Sequence, residues 1–175
     1  MAVAHYQFEA IHPFTDGNGR TGRVMNVLML CDAGLLHLPL LYLSRYIFES
    51  KDEYYRLLRL VTSEGSWEDW VLYVVEGVRA TSLRTCELVD RIEDVQHSVL
   101  DAVRSVVGSA NHDLVALLME HPYARSLDVM ERCGVSRPTA AKWLRGLVAE
   151  GTLHELRVGR QVLFINQPMM SVLTA

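Results

Sequence analysis

His12-Pro13-Phe14-Thr15-Asp16-Gly17-Asn18-Gly19-Arg20-Thr21-Gly22-Arg23 is the stretch from which the rest of the 175-residue chain can be read. Physically it is a cradle for phosphate with a base beside it. Gly17-Asn18-Gly19 lets the backbone bend sharply and bring N–H groups close to an anion. From Arg20 the sequence turns helical, so the anion would lie at a helix N-terminus, where unpaired donors and the dipole favour negative charge. Arg20 and Arg23 stand three apart on one face of that first turn, within reach of phosphate oxygens. Thr21 and Gly22, between them, belong to the same set of nucleotide-binding candidates. Asp16 is a hard oxygen ligand suited to a Mg²⁺ carried in by a nucleotide. His12, just outside the cradle, can accept a proton at neutral pH.

Two other phosphate motifs are excluded. Gly17 to Gly22 satisfies G-x-G-x-x-G, but the dinucleotide fold needs a strand before it and an acidic residue about 20 positions on. Pro13 precedes it, and Leu40 to Tyr46 holds no carboxylate. A Walker loop fails because no Gly-Lys-Ser/Thr follows.

The stretch resembles the signature of the Fic family, H-x-F-x-[DE]-G-N-G-R-x-x-R. His12, Phe14, Asp16, Gly17, Asn18, Gly19, Arg20 and Arg23 fill every specified position. At ~5% usage per residue type, a chance match at one start is on the order of 10⁻¹⁰. The bland alternative, a Gly-rich entry turn to a helix, does not need His and two Arg at set offsets. Ala4-His5-Tyr6-Gln7-Phe8-Glu9 before the motif extends the likeness, as do Leu41-Tyr42-Leu43-Ser44 and Tyr54-Tyr55-Arg56-Leu57-Leu58 after it. Together they resemble bacterial Fic proteins with a C-terminal winged helix.

The resemblance implies a mostly α chain: the C-terminal part of an all-α Fic domain over residues 1–108, then a winged helix-turn-helix with a small β-hairpin over 109–175. It implies protein adenylylation, the transfer of AMP from ATP, or another nucleoside triphosphate, to a Ser, Thr or Tyr hydroxyl of a target or of the chain itself. His12 would be the base, against the plain reading of a capping or surface histidine. Asp16 would hold Mg²⁺, against the plain reading of an N-cap. Gly17, Asn18 and Gly19 would stabilise the developing charge and Arg20 and Arg23 would hold the phosphates. The related Doc branch, which phosphorylates, has Lys where Gly19 stands. Phe14 is expected to anchor the loop in the core. Tyr54 and Tyr55 are adenine-stacking candidates, with core packing the alternative, at least as strong for Tyr55. The family's Asn at the end of that helix is replaced by Thr62-Ser63. A zinc-like site from His5, His12 and Asp16 fits no standard spacing.

The same resemblance carries an expectation about completeness. Fic enzymes have several helices and a β-hairpin flap before the motif, and here only Ala2 to Ile11 precede it. Self-restrained members carry [ST]-x-x-x-E-[GN], whose Glu pairs with the second Arg. Glu64, Glu76 and Glu150 are followed by Gly but preceded four residues earlier by Leu60, Leu72 and Gly146. The expectation is a shortened chain, unrestrained at Arg23, weak on external targets and prone to self-association. The non-enzyme rival is a DNA-binding regulator or inactive fragment whose Fic part is an assembly platform.

Composition sets the bounds. Half the residues are apolar, enough for a core, and the net charge is −4. That charge argues against a general nucleic-acid sponge. It is uneven: residues 1–109 hold ten Lys/Arg against fifteen Asp/Glu, net −5, and residues 110–175 hold seven against six, net +1. Cys31, Cys86 and Cys133 are odd in number and widely spaced, which reads as reduced thiols in a cytoplasmic protein. No run of 18 apolar residues spans a membrane.

Along the chain, Ala2 to Ile11 reads as a helix. Arg20 to Ala33 reads as a buried helix with Val24, Val27, Leu28 and Cys31 inward. Ser44 to Glu49 is a helical turn, and Lys51 to Thr62 a helix with Tyr54, Leu57, Leu58 and Val61 on one face. Ser66 caps a long helix from Trp67 to about Val107, and Gly108 to Asn111 ends the first domain. Helices at Leu114–Glu120 and Leu127–Arg132, a third after Ser136 with Pro138 in its first turn, and strands Leu153–Val158 and Gln161–Ile165 follow the winged helix order. Arg137, Lys142, Arg145, Arg157 and Arg160 are its DNA-phosphate candidates; the alternative is a solvated face used for protein contacts. Trp143 is read as core.

Overall fold

The computed structural model describes residues 1–174. It is mostly helical with one three-stranded antiparallel sheet, and it resolves into two compact units, Met1–Glu87 and Leu88–Ala175.

The first unit holds α1 (Ala2–Ile11), α2 (Asn18–Asp32), α3 (Leu43–Glu49), α4 (Lys51–Glu64) and the first half of α5 (Trp67–Val107). Its larger core joins Tyr54, Leu57 and Val61 of α4 to Trp70, Tyr73 and Val74 of α5. The period of α4 placed those three inward. Trp70 is fully buried, and its indole N–H donates to the Ala2 carbonyl at 2.9 Å, so α1 is tied to this core. A smaller cluster holds Leu30, Leu41 and Leu43.

Helix α2 does not bury the face expected of it. Gly22, Asn26 and Leu30 are its buried positions after the first turn, while Val24 and Leu28 are 59% and 57% exposed. The reason is the approach of α1. A Cβ on Gly22 would lie 2.7 Å from Glu9 Oε1 and 3.0 Å from the His5 ring, so α1 packs on the side of α2 that has no side chain in the way. Residues 24 and 28 lie about 200° and 240° round the helix from Gly22.

The second unit holds the rest of α5, then α6 (His112–Glu120), β1 (Tyr123–Ala124), α7 (Ser126–Cys133), α8 (Arg137–Ala149), β2 (Leu153–Val158), β3 (Gln161–Asn166) and α9 (Gln167–Leu173). Asn111 and Ser136 cap α6 and α8 as N-terminal acceptors. The β2–β3 hairpin pairs Val158 with Gln161 and Leu153 with Asn166. Two elements are additional to the sequence reading: β1, whose two residues pair with β3, and α9. Asn166 explains the second. Fully buried, it donates to the Leu118 carbonyl at 2.9 Å and accepts from the Met169 N–H at 3.1 Å, capping α9 from inside the core.

The compact units divide inside α5, whereas the sequence reading put the boundary at Gly108. Val95, Val99 and Val103, an i, i+4, i+8 stripe on α5, belong to the same core as Leu114, Leu118, Leu144 and Leu147. The helix therefore supplies part of the second unit's interior. Between the two cores, Cys86 to Arg91 are exposed at every position.

Candidate active site and an arginine groove

The cradle is built by the end of α1, the loop and the first turns of α2. His12 closes α1 in the left-handed conformation, φ 51° and ψ 56°, its N–H donating to the Phe8 carbonyl at 3.0 Å. The side chain is exposed. Asn18 is buried and clamps the loop from below: its Oδ1 accepts from the Phe14 N–H at 2.9 Å and its Nδ2 donates to the Phe14 carbonyl at 2.6 Å. Its side chain is thus a loop strut, and only its backbone N–H can serve an anion. Gly17, at φ 85°, takes a conformation that a side chain would strain, and α2 begins with no side-chain cap. The leading N–H groups of α2 consequently lack intrahelical acceptors.

Asp16 Oδ1 accepts from the Gly17 N–H at 2.6 Å, and Oδ2 meets Arg20 at 3.2 Å. The Asp16 side chain is 91% exposed, so this ion pair contributes little and is free to open. Thr21 Oγ1 donates to the Gly17 carbonyl at 3.0 Å, a role within the helix. Arg23 Nε donates to Ser44 Oγ at 2.9 Å. Its guanidinium lies 3.0 Å from where a Cβ on Gly19 would stand, so a side chain at 19 would displace it.

Beside the cradle is a cleft of ≈ 440 Å³ that Gly19 and Arg23 share with Ser44, Lys51 and Tyr55. Glu9 also lines it, and the sequence reading did not single it out. Its Oε1 is buried without a hydrogen-bond partner, and burial pushes its carboxyl pKa up, against the charges of His12 and Arg23. The signal available was its i,i+4 spacing from His5 on α1.

The two tyrosines part company. Tyr54 is 4% exposed and packs on Trp70 at 5.5 Å between ring centroids, with its hydroxyl hydrogen-bonded to His5 Nε2 at 2.9 Å. Burial raises the pKa of that hydroxyl strongly. Its ring is core, although the residue also borders the cleft. Tyr55 is 49% exposed and is the ring available to a ligand. Phe14, expected in the core, is 50% exposed and leans on Phe8 at 6.1 Å. His5 is buried and stacked on Trp70, and desolvation lowers its pKa to about 4.

Among the described residues no group of three or more His, Cys, Asp or Glu converges as a metal cage. The lone exposed carboxylate of Asp16 fits an ion that brings its other oxygen ligands with a nucleotide. No helix among the described residues is long and apolar enough to cross a membrane.

In the second unit, Arg137 and Arg145 of α8, Arg157 of β2 and Arg160 of the hairpin turn line one groove of ≈ 490 Å³, joined by Arg125 before α7. Lys142 is exposed but is not part of that lining. Trp143 is half-buried against the core, as expected.

Two family models match the chain. One is the Fic/DOC family, over residues 1–30. The other is the C-terminal domain of SoFic-like protein adenylyltransferases, over residues 97–169. Curated relatives include the protein adenylyltransferase fic-1 of Caenorhabditis elegans and of Caenorhabditis briggsae, each 36% identical over 85 residues. The Drosophila mojavensis protein adenylyltransferase Fic is 34% identical over 80 residues. These alignments cover 47% and 46% of this chain, and the chain spans about 15% of the length of these relatives.

Proposed function

Both family models and these relatives support a chain of the Fic family, and from that premise we propose that residues 12–23 transfer AMP from ATP to a protein hydroxyl. The observation that carries the reading is the placement of His12. It is exposed and held in a left-handed turn, one short loop before a helix whose first turn is uncapped and flanked by Arg20 and Arg23. A base and an anion seat are thereby neighbours, which is the minimum that nucleotidyl transfer to a hydroxyl requires.

In this reading His12 takes the proton of the target hydroxyl. The oxygen attacks the α-phosphorus, the bond from that phosphorus to the bridging oxygen breaks, and pyrophosphate leaves. The N–H groups at the start of α2 donate to the phosphate oxygens as charge develops there, a class of contact worth ~10²–10³ in rate per donor. Arg20 and Arg23 hold the phosphates. Tyr55, in the lining of the cleft and half exposed, offers its ring to the adenine. Asp16 would ligate Mg²⁺, which when bound neutralises phosphate charge that otherwise repels the nucleophile. The target is a protein with an accessible Ser, Thr or Tyr hydroxyl, this chain included.

Incubation with ATP labelled on the α-phosphate and candidate proteins tests the proposal. Label should pass to protein with the wild-type chain and not with His12→Ala. Equal labelling by the two would refute the mechanism.

A further inference from the structure

We infer that the arginine groove of the second unit is a seat for the phosphate backbone of duplex DNA, independent of the nucleotide chemistry in the first unit. Three observations carry this. Arg137, Ala141 and Arg145 form an i, i+4, i+8 stripe on α8, and all three line the groove. Eight residues of helix put the two arginines about 12 Å apart along the axis, comparable to the width of the major groove of B-DNA. Ala141 between them leaves the middle of the stripe low, so a strand can lie across it.

The wing supplies the second wall. Arg157 and Arg160 come from the β2–β3 hairpin and face the same groove. Helix and hairpin thus offer four cations from two elements, an arrangement that can follow a backbone on both sides of one groove.

The third observation is where the acids are. The region's net charge is only +1, but the sum hides a segregation. Asp113 and Glu120 lie against Arg132, and Glu150 hydrogen-bonds Ser105, none of them in the groove lining. Within the lining there are five arginines and a single carboxylate, Glu155. Arg125 is matched by Asp128 at 2.8 Å, and Arg157 meets Glu155 at 3.4 Å across exposed surface. Arg137, Arg145 and Arg160 have no ion-pair partner among the described residues. Unpaired guanidinium groups clustered on one face are the electrostatic footprint of phosphate binding.

The test is fluorescence anisotropy of a labelled mixed-sequence DNA duplex titrated with the whole chain. Binding in the micromolar range is expected at about 50 mM salt, weakening roughly 100-fold by 200 mM if four phosphates are neutralised. Arg137→Gln with Arg145→Gln should weaken binding at least about 10-fold and flatten the salt slope by about 2. The Lys replacements at both positions should retain most of the affinity. Arg104→Gln on α5 and Lys142→Gln should change it less than about twofold, since neither lines the groove. The inference is overturned by absence of binding at 50 mM salt, by equal loss in the Arg104 or Lys142 variants, or by polyglutamate competing as well as DNA. The last result would make the groove a seat for acidic protein segments.

Discussion

Arg23 holds two jobs at once, a hydrogen bond to Ser44 and a wall of the cleft beside the cradle, and substitution should separate them. On the proposed mechanism, Arg23→Ala removes a charge-assisted phosphate contact, a class worth roughly 1.5–3 kcal/mol. ATP affinity by calorimetry should fall about 10- to 100-fold, against a small change for His12→Ala, whose base acts in the transition state. Unchanged affinity in the Arg23 variant would contradict that assignment. His5 sets a pH limit. Its folded-state pKa of about 4 lies below the ordinary histidine value of 6.5, so the unfolded chain binds the proton more readily. The stability tied to neutral His5 is fully present above pH 6.5 and is lost as pH falls toward 4, by roughly 3 kcal/mol in all. Glu9 acts in the opposite sense, because burial raises its pKa, and it offsets part of the loss. Urea melts at pH 7.5 and 5 should show the drop in the wild-type chain and a much smaller one in His5→Asn. Equal drops would remove His5 as the cause. The sequence reading leaned towards core packing for Tyr55, and the structure reverses it: Tyr54 is the buried ring, in line with Leu57 and Val61 on the inward stripe of α4. Tyr55, one residue on, points about 100° away.

Between elements, the α1–α2 contact decides the shape of the site, and Gly22 decides that contact. Gly22→Ala gains up to ~1 kcal/mol of helix propensity. It also drives a methyl into Glu9 Oε1 at 2.7 Å and the His5 ring at 3.0 Å. The carboxylate can swing aside, but His5 is pinned by Tyr54 and Trp70. Overpacking costs ~1–3 kcal/mol, so a net loss of about 1–2 kcal/mol is expected, with a melting temperature several degrees lower. A thermal melt that matches wild type would show the contact to be loose. This is also where the sequence misled. Apolar residues run almost all round α2, and periodicity cannot choose a face in such a helix. The choice was made by a glycine and an asparagine, which carry little hydrophobic signal. The second unit was easier to read because its punctuation is chemical: Ser136 as cap, Pro138 in the first turn, and Gly159-Arg160 between alternating strands. Strand β1 escaped because two residues have no period, and α9 because its cap, Asn166, is recognisable only once it is buried.

At the scale of the whole chain, the second unit's core reaches back into α5. A fragment of residues 88–175 should fold, whereas one of 109–175 loses Val95, Val99 and Val103 and uncovers Leu114, Leu144 and their neighbours. Val99 and Val103 are fully buried, and each contributes roughly 1.5–3 kcal/mol by burial. Circular dichroism melts of the two fragments check this: a cooperative transition is expected only for the longer, and equal stability would put the boundary back at Gly108. The exposed stretch from Cys86 to Arg91 has a further consequence. Six consecutive exposed residues of helix gain little from packing and depend on their own backbone bonds, and an isolated helix of that length is not stable in water. Amide protons there should exchange with deuterium well before those at Trp70 or Val99. Trypsin, offered Arg84 just before the stretch and Arg91 at its end, should cut this chain first in the middle of its longest helix.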